Sequence, residues 1–188
     1  MFTRIFGTTT EEIKQAAEII KEGGLVAFPT ETVYGLGADA LNAEAVGKVY
    51  AAKGRPSDNP MIVHISSKDD VIKLTPEITE DMQELMDEFW PGPLTMVVPA
   101  LGIIPKVTTG GLDTVGIRMP SEPAAAELIS AAETPIAAPS ANLSGKPSPT
   151  TYQHVMDDLD GRIDGIIAGG ECKAGIESTV VDMTEETP

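Results

Sequence analysis

Lys53-Gly54-Arg55-Pro56-Ser57-Asp58-Asn59-Pro60 gathers two cations, a glycine, two prolines and an amide within eight residues of an otherwise acidic chain. A guanidinium offers a planar fork to phosphate and an ammonium a point charge, so Lys53 and Arg55 suit neutralisation of a polyphosphate. On spacing alone, a solvated surface pair fits as well. The loop is not a P-loop, which ends a longer glycine-rich run in Gly-Lys-Ser/Thr. Downstream, Pro139-Ser140-Ala141-Asn142-Leu143-Ser144-Gly145-Lys146 is rich in hydroxyls and amides. In an extended segment Ser140, Asn142 and Ser144 share a face, as do Thr30, Thr32 and Tyr34. Each set suits either a small polar ligand or the capping of turns. Arg118 sits in the apolar run Val115-Gly116-Ile117-Arg118-Met119, where a buried charge needs a partner. A ligand carboxylate or a structural ion pair would each serve. His64, inside Ile62-Val63-His64-Ile65, reads first as a structural histidine, and His154, beside Asp157 and Asp158, as a surface one. No cluster of His, Cys and carboxylates has metal-ligand spacing, so no protein metal site is expected. No Ser-His-Asp arrangement stands out and no carboxylate pair is poised for acid/base work. The inventory favours charge neutralisation and positioning over nucleophilic catalysis.

The composition limits the partners. The 188 residues suit one domain with a sizeable core. Thirteen basic against 29 acidic residues give a formal net charge of −16, which repels nucleic acid and anionic membrane at long range but permits a local cationic pocket. The acid concentrates between Asp69 and Glu88, a stretch that reads as a solvated helical face. The single cysteine, Cys172, excludes an intramolecular disulfide and reads as a small, partly buried thiol. No apolar run approaches membrane-spanning length and no signal peptide is evident, so a cytoplasmic protein is expected.

Several elements must position these residues. Thr9 and Glu12 form a capping box ahead of Ile13, Ala16, Ala17 and Ile20, and Gly23-Gly24 stops that helix. Leu25 to Phe28 is a short buried strand, and Thr30 to Gly37 a polar, glycine-bearing turn after it. Helices are expected over Asn42 to Ala52, Thr79 to Phe89, Ser121 (as cap) to Ala132, and Thr151 to Leu159, with a short one after Ser67. Strands are expected at Met61 to Ile65, Leu94 to Val98, Val115 to Met119, Pro135 to Ala138, Ile163 to Ala168 and Thr179 to Met183. Alternating strands and helices predict a twisted α/β sheet with mixed strand directions. Ligands of such sheets gather where strand-end loops converge. The sequence stops five residues after Met183, so a piece of a longer protein is expected.

Six motifs in order resemble the YrdC-like family of threonylcarbamoyl-AMP synthases. They are Pro29-Thr30-Glu31-Thr32-Val33-Tyr34-Gly35-Leu36, Lys53-Gly54-Arg55-Pro56 with Asn59-Pro60, and Trp90-Pro91-Gly92-Pro93-Leu94-Thr95. Val115-Gly116-Ile117-Arg118, Pro139-Ser140-Ala141-Asn142-Leu143-Ser144-Gly145 and Glu177-Ser178-Thr179-Val180-Val181-Asp182 complete the set. The resemblance covers nearly the whole chain. It implies a single domain over residues 1–188, with an open twisted sheet, flanking helices and a concave ligand cleft. It implies synthesis of threonylcarbamoyl-AMP and pyrophosphate from L-threonine, bicarbonate or CO₂, and ATP. The product would pass to a separate protein that modifies tRNA. Carried over by position, Thr32, His64, Arg118, the backbone at Ala138 and Ser178 are expected at the threonine site. Arg55, Asn59, Thr114, Ser140 and Ser148 are expected on the nucleotide, with Lys53 and Asn142 close by. Lys53 and Arg55 are the expected catalytic cations, and Thr30 and Tyr34 the expected cleft walls. With no carboxylate cage in the sequence, Mg²⁺ is expected mainly on the ATP phosphates. An Arg-Pro-Gly stretch that follows the last motif in relatives is not in this sequence. Two other readings stand beside this one. An RNA-binding module of the same fold is disfavoured by the net charge, so direct tRNA binding is expected to be weak or absent. A carbamoyltransferase-type domain would be accompanied by acylphosphatase and zinc-finger segments, which this sequence does not contain.

Overall fold

A computed structural model describes residues 2–185 and 187–188. Helix α1 (Thr10–Lys21) starts where the capping box requires, with Thr9 Oγ1 accepting from the Glu12 amide. The reciprocal arm differs from expectation: Glu12 Oε1 accepts from the Gly7 N–H, 2.9 Å away, and so also ties down the strand before the helix. That strand, β1 (Arg4–Phe6), is not legible in the sequence. It is three residues long and exposed at its first two positions, and its pairing with a distant segment creates it.

The chain continues through β2 (Val26–Phe28), β3 (Gly35–Asp39), α2 (Ala43–Lys53), β4 (Ile62–His64), a 3₁₀ turn (Lys68–Lys73), α3 (Glu80–Phe89), β5 (Leu94–Pro99) and β6 (Thr114–Arg118). Then come α4 (Pro123–Ala132), β7 (Ile136–Ala137), α5 (Tyr152–Leu159), β8 (Gly165–Ile167) and β9 (Thr179–Asp182). Asn42, Ser67, Thr79 and Thr151 cap their helices through side-chain oxygens, as their types require. Ser121 does not cap α4. The cap position is Glu122, which makes no capping bond, and Pro123 opens the helix. The Ser121 amide and hydroxyl instead both donate to Glu31.

Gly35-Leu36-Gly37 is strand rather than turn. A Cβ on Gly37 would lie 2.7 Å from Ile136 Cγ2 and 2.8 Å from the Phe28 ring. Glycine stands there because side chains from both sides leave it no room.

Among the described residues nine strands form one sheet in the order β1-β8-β2-β3-β7-β4-β6-β5-β9. The β4–β6 and β5–β9 pairs are parallel, while β3–β7, β4–β7 and β5–β6 are antiparallel, so the expected mixed sheet is present. Alternate strand residues feed two cores. Val26, Phe28 and Ile136 pack with Ile13, Ile20 and Leu128 of α1 and α4. Ala27, Leu36 and Ala137 face Val46, Val49, Val155 and Leu159 of α2 and α5. Each fully buried Leu or Ile contributes roughly 1.5–3 kcal/mol by leaving water.

Candidate functional site

The register of β4 and β6 sets His64 directly beside Arg118. Thr95 of β5 is the partner of Arg118 on its other side. His64 and Arg118 lie in the floor of a cleft. One wall is the turn from Thr30 to Val33, another the segment from Ala138 to Ser140, and a third Glu177 and Ser178 ahead of β9. Arg55 and Pro60 close it from the loop after α2. The two polar loops that the sequence singled out are in contact, since Ser144 N donates to the Lys53 carbonyl at 3.0 Å.

Of the residues expected on threonine, Thr32, His64, Arg118, Ala138 and Ser178 all line this cleft. Arg118 is 3% exposed. Its Nε donates to Gly92 O at 3.3 Å and its Nη1 to Thr32 Oγ1 at 3.0 Å. Its Nη2 pairs with Glu31, so the buried charge has an internal partner at a residue that also faces the cleft. Burial pushes the Arg118 pKa down to about 10, which leaves it a cation at neutral pH. His64 is 4% exposed, and burial pushes its pKa down to about 4, so the imidazole is neutral. Its Nδ1 lies 3.1 Å from the Ile62 carbonyl, which can only accept, so Nδ1 carries the proton. Ser178 Oγ lies 2.8 Å from Thr95 Oγ1.

The residues expected on the nucleotide divide. Arg55 and Ser140 line the cleft. Arg55 Nη2 donates to Pro60 O at 3.1 Å, and its buried Nε has no partner among the described residues. Ser148 reaches the site through Glu177, whose Oε1 accepts from Ser148 Oγ at 3.0 Å. Thr114 starts β6, at the far end of that strand from Arg118. Asn59 is exposed, and its carbonyl accepts from Tyr50 Oη at 2.9 Å.

Three expectations need correcting. Lys53 does not present its ammonium to the cleft. It is 2% exposed, and its Nζ donates to Ser140 O and, at 2.6 Å, to Asn142 O. Burial, and then the charge of Arg55, push its pKa down to about 8. Lys53 therefore shapes the serine loop from behind. Asn142 is part of that loop's interior: its Nδ2 donates to Leu143 O at 2.8 Å and Lys146 O at 2.9 Å. Tyr34 is fully buried and walls no cleft, because its hydroxyl accepts from Gly169 N at 3.1 Å. Thr30 does line the cleft, but its hydroxyl is engaged in the turn, donating to Val33 O at 2.6 Å and accepting the Val33 amide at 3.2 Å.

Sequence reasoning missed Glu31 and Glu177. Both lie inside quoted motifs, but in a chain with 29 acidic residues nothing marks which carboxylate meets Arg118 or enters a cleft. Glu177 is the one carboxylate among the described cleft residues. Burial lowers the pKa values of Lys53 and Arg55, and Glu177 acts against that by favouring their charged forms. No group of three His, Cys, Asp or Glu among the described residues is arranged to hold a metal, and no described helix is long and apolar enough to cross a membrane.

The chain is similar to known proteins. A threonylcarbamoyl-AMP synthase of Pyrococcus abyssi (strain GE5 / Orsay) is 56% identical over 177 residues, 94% of this chain and 52% of that protein. The Bacillus subtilis (strain 168) threonylcarbamoyl-AMP synthase is 54% identical over 96% of this chain and 53% of its own length. The chain thus spans about half the length of these curated relatives. The crystal structure of P. abyssi Sua5 complexed with L-threonine matches with a TM-score of 0.96 at 54% identity, covering 98% of this chain and 55% of that one. E. coli YciO shares the fold with a TM-score of 0.87 at 23% identity, over 98% of this chain and 92% of that one. The family model Sua5_yciO_yrdC, described as Telomere recombination, matches residues 18–188. With the family model matching residues 18–188 and relatives above 50% identity over most of the chain, the chain belongs to the Sua5/YciO/YrdC family.

Proposed function

We propose that this chain carries the active site for making threonylcarbamoyl-AMP and pyrophosphate from L-threonine, bicarbonate or CO₂, and ATP. The observation that carries the reading is one cleft with a buried Arg118 in its floor and Arg55 at its mouth. Two fixed cations suit two anionic substrates, an α-carboxylate and a triphosphate. The P. abyssi relative complexed with L-threonine supports the amino-acid half.

The chemistry then follows from charge. The threonine amine, as the free base, attacks CO₂ and forms a carbamate, releasing a proton. A carbamate oxygen attacks the α-phosphorus in line, a P–O bond forms, and the bond to the bridging oxygen breaks as pyrophosphate leaves. Arg118 holds the threonine carboxylate. The neutral His64 adds no further charge beside it. Arg55 offsets the repulsion between the anionic nucleophile and the phosphates, with Ser140 and Ser148 as hydroxyl donors nearby. Lys53 holds the serine loop in shape. The cleft limits water, which would hydrolyse both carbamate and mixed anhydride. Mg²⁺ would be held mainly by the ATP phosphates, with Glu177 the one carboxylate among the described cleft residues, and would supply further charge neutralisation. The product passes to a separate transferase acting on tRNA, and the net charge of −16 argues against this chain binding tRNA tightly itself.

The test is incubation with ATP, bicarbonate and each amino acid in turn, scoring pyrophosphate. Release that requires both threonine and bicarbonate is expected. Release indifferent to threonine, or driven by carbamoyl phosphate, would replace this reading with the carbamoyltransferase one.

A further inference from the structure

Arg118 is held by groups from separate parts of the chain. Gly92 O takes Nε and Thr32 Oγ1 takes one hydrogen of Nη1, while Glu31 pairs by charge with Nη2, which makes no hydrogen bond among the described residues. A guanidinium has five N–H donors. The two hydrogen bonds leave N–H groups on both terminal nitrogens, and a bidentate carboxylate accepts two. Arg118 and Thr32 line the cleft, whereas Glu31 does not. The Glu31 side chain is 14% exposed and pairs with Arg118 without lining the cleft. Its other oxygen accepts from both the amide and the hydroxyl of Ser121, at the β6–α4 junction. Its backbone carbonyl accepts from Ala174 N at 3.0 Å. A carboxylate tethered in this way is not free to swing out of the path of a substrate. It compensates a cation that would otherwise be buried alone, and it fixes the plane of the fork.

We propose that Glu31 is the positioning residue of the amino-acid subsite: anchored by Ser121, it orients the Arg118 fork for an incoming α-carboxylate. This deepens the reading above and rests on it. The alternative geometry has Glu31 imitating the substrate carboxylate and competing with it. The two differ in sign.

The experiment is calorimetric titration of L-threonine, and separately of ATP, into the wild-type chain, Glu31→Gln and Ser121→Ala. Positioning predicts that Glu31→Gln weakens threonine by about tenfold, equivalent to about 1.4 kcal/mol. ATP affinity should stay within about twofold of wild type, and kcat at saturating threonine should be largely kept. Ser121→Ala removes one of the two donors to Glu31 and should weaken threonine by a smaller factor, about two- to threefold, by loosening the anchor. Threonine bound equally well or more tightly by Glu31→Gln would overturn the proposal, as would equal losses for threonine and ATP. If Glu31→Gln does not fold, Ser121→Ala decides, and an unchanged threonine affinity there overturns it. Failure of the wild-type chain to bind threonine would bring down the functional reading and this inference together. Normal wild-type binding with an indifferent Glu31→Gln would bring down the inference alone.

Discussion

Arg55 enters the cleft with only its own loop for company. One terminal nitrogen rests on Pro60 O, and Nε is buried without a partner among the described residues. A buried donor left open is costly unless a ligand or water takes it, and a phosphate oxygen is the acceptor this site would supply. Arg55→Ala should therefore lower turnover by at least about tenfold, the loss expected for a transition-state contact of about 1.4 kcal/mol or more. Steady-state pyrophosphate release checks this, and wild-type rates would remove Arg55 from the mechanism. Residue type alone revealed Arg55 and Arg118 as candidates. It misassigned Lys53, because an ammonium beside an arginine looks the same in sequence whether it points at a ligand or at two carbonyls. Asn142 and Tyr34 misled for the same reason: alternation predicts a shared face only if the segment is extended. The turn around Thr30 and the folded serine loop are not.

Helix α2 ends on Lys53, and Gly54 leaves it in the left-handed conformation at φ 61°. That turn sends Arg55 towards the cleft while Lys53 stays under the serine loop. The ammonium thus joins a helix end to the segment that carries Ser140. Lys53→Met, nearly isosteric along the stem, should leave the Ser140 and Asn142 carbonyls without their donor, at about 1–3 kcal/mol for each buried group not taken up by water. Thermal unfolding should show a lower midpoint, and ATP affinity should fall with it because Ser140 is no longer held. A variant as stable as wild type would show that the loop keeps its shape unaided. Most helices were legible here, because caps are local chemistry written within four residues. Strands were less so. The sequence marks β6 by its apolar run, but β1 exists only through β8, and β3 carries at Gly37 a glycine whose reason is the Phe28 ring and Ile136 packed against it.

Across the whole molecule, a strongly acidic protein encloses a small cationic cleft floored by a neutral histidine. Burial holds His64 near pKa 4 when folded, against about 6.5 unfolded. Between those values the unfolded chain binds the proton and the folded one does not. Stability therefore rises with pH through this window, is complete above about 6.5, and is lost as pH falls towards 4. The ceiling of this contribution is about 3 kcal/mol. Denaturant unfolding of the wild type and of His64→Gln across pH 4 to 7 should give a flatter acid limb for the variant. Parallel limbs would mean that water reaches the imidazole and that its pKa is close to ordinary.

The sequence by itself determined the sheet-and-helix class, most of the helix starts and the two polar loops, because each depends on neighbours within a few residues. It also favoured charge neutralisation and positioning over nucleophilic catalysis, through two arginines and hydroxyl-rich loops. Only the tertiary structure decided which polar groups face one another. His64 meets Arg118 through the register of two parallel strands, and Glu31 reaches an arginine 87 positions further along the chain. Such encounters are set by packing the whole sheet, where no local rule selects one carboxylate among many.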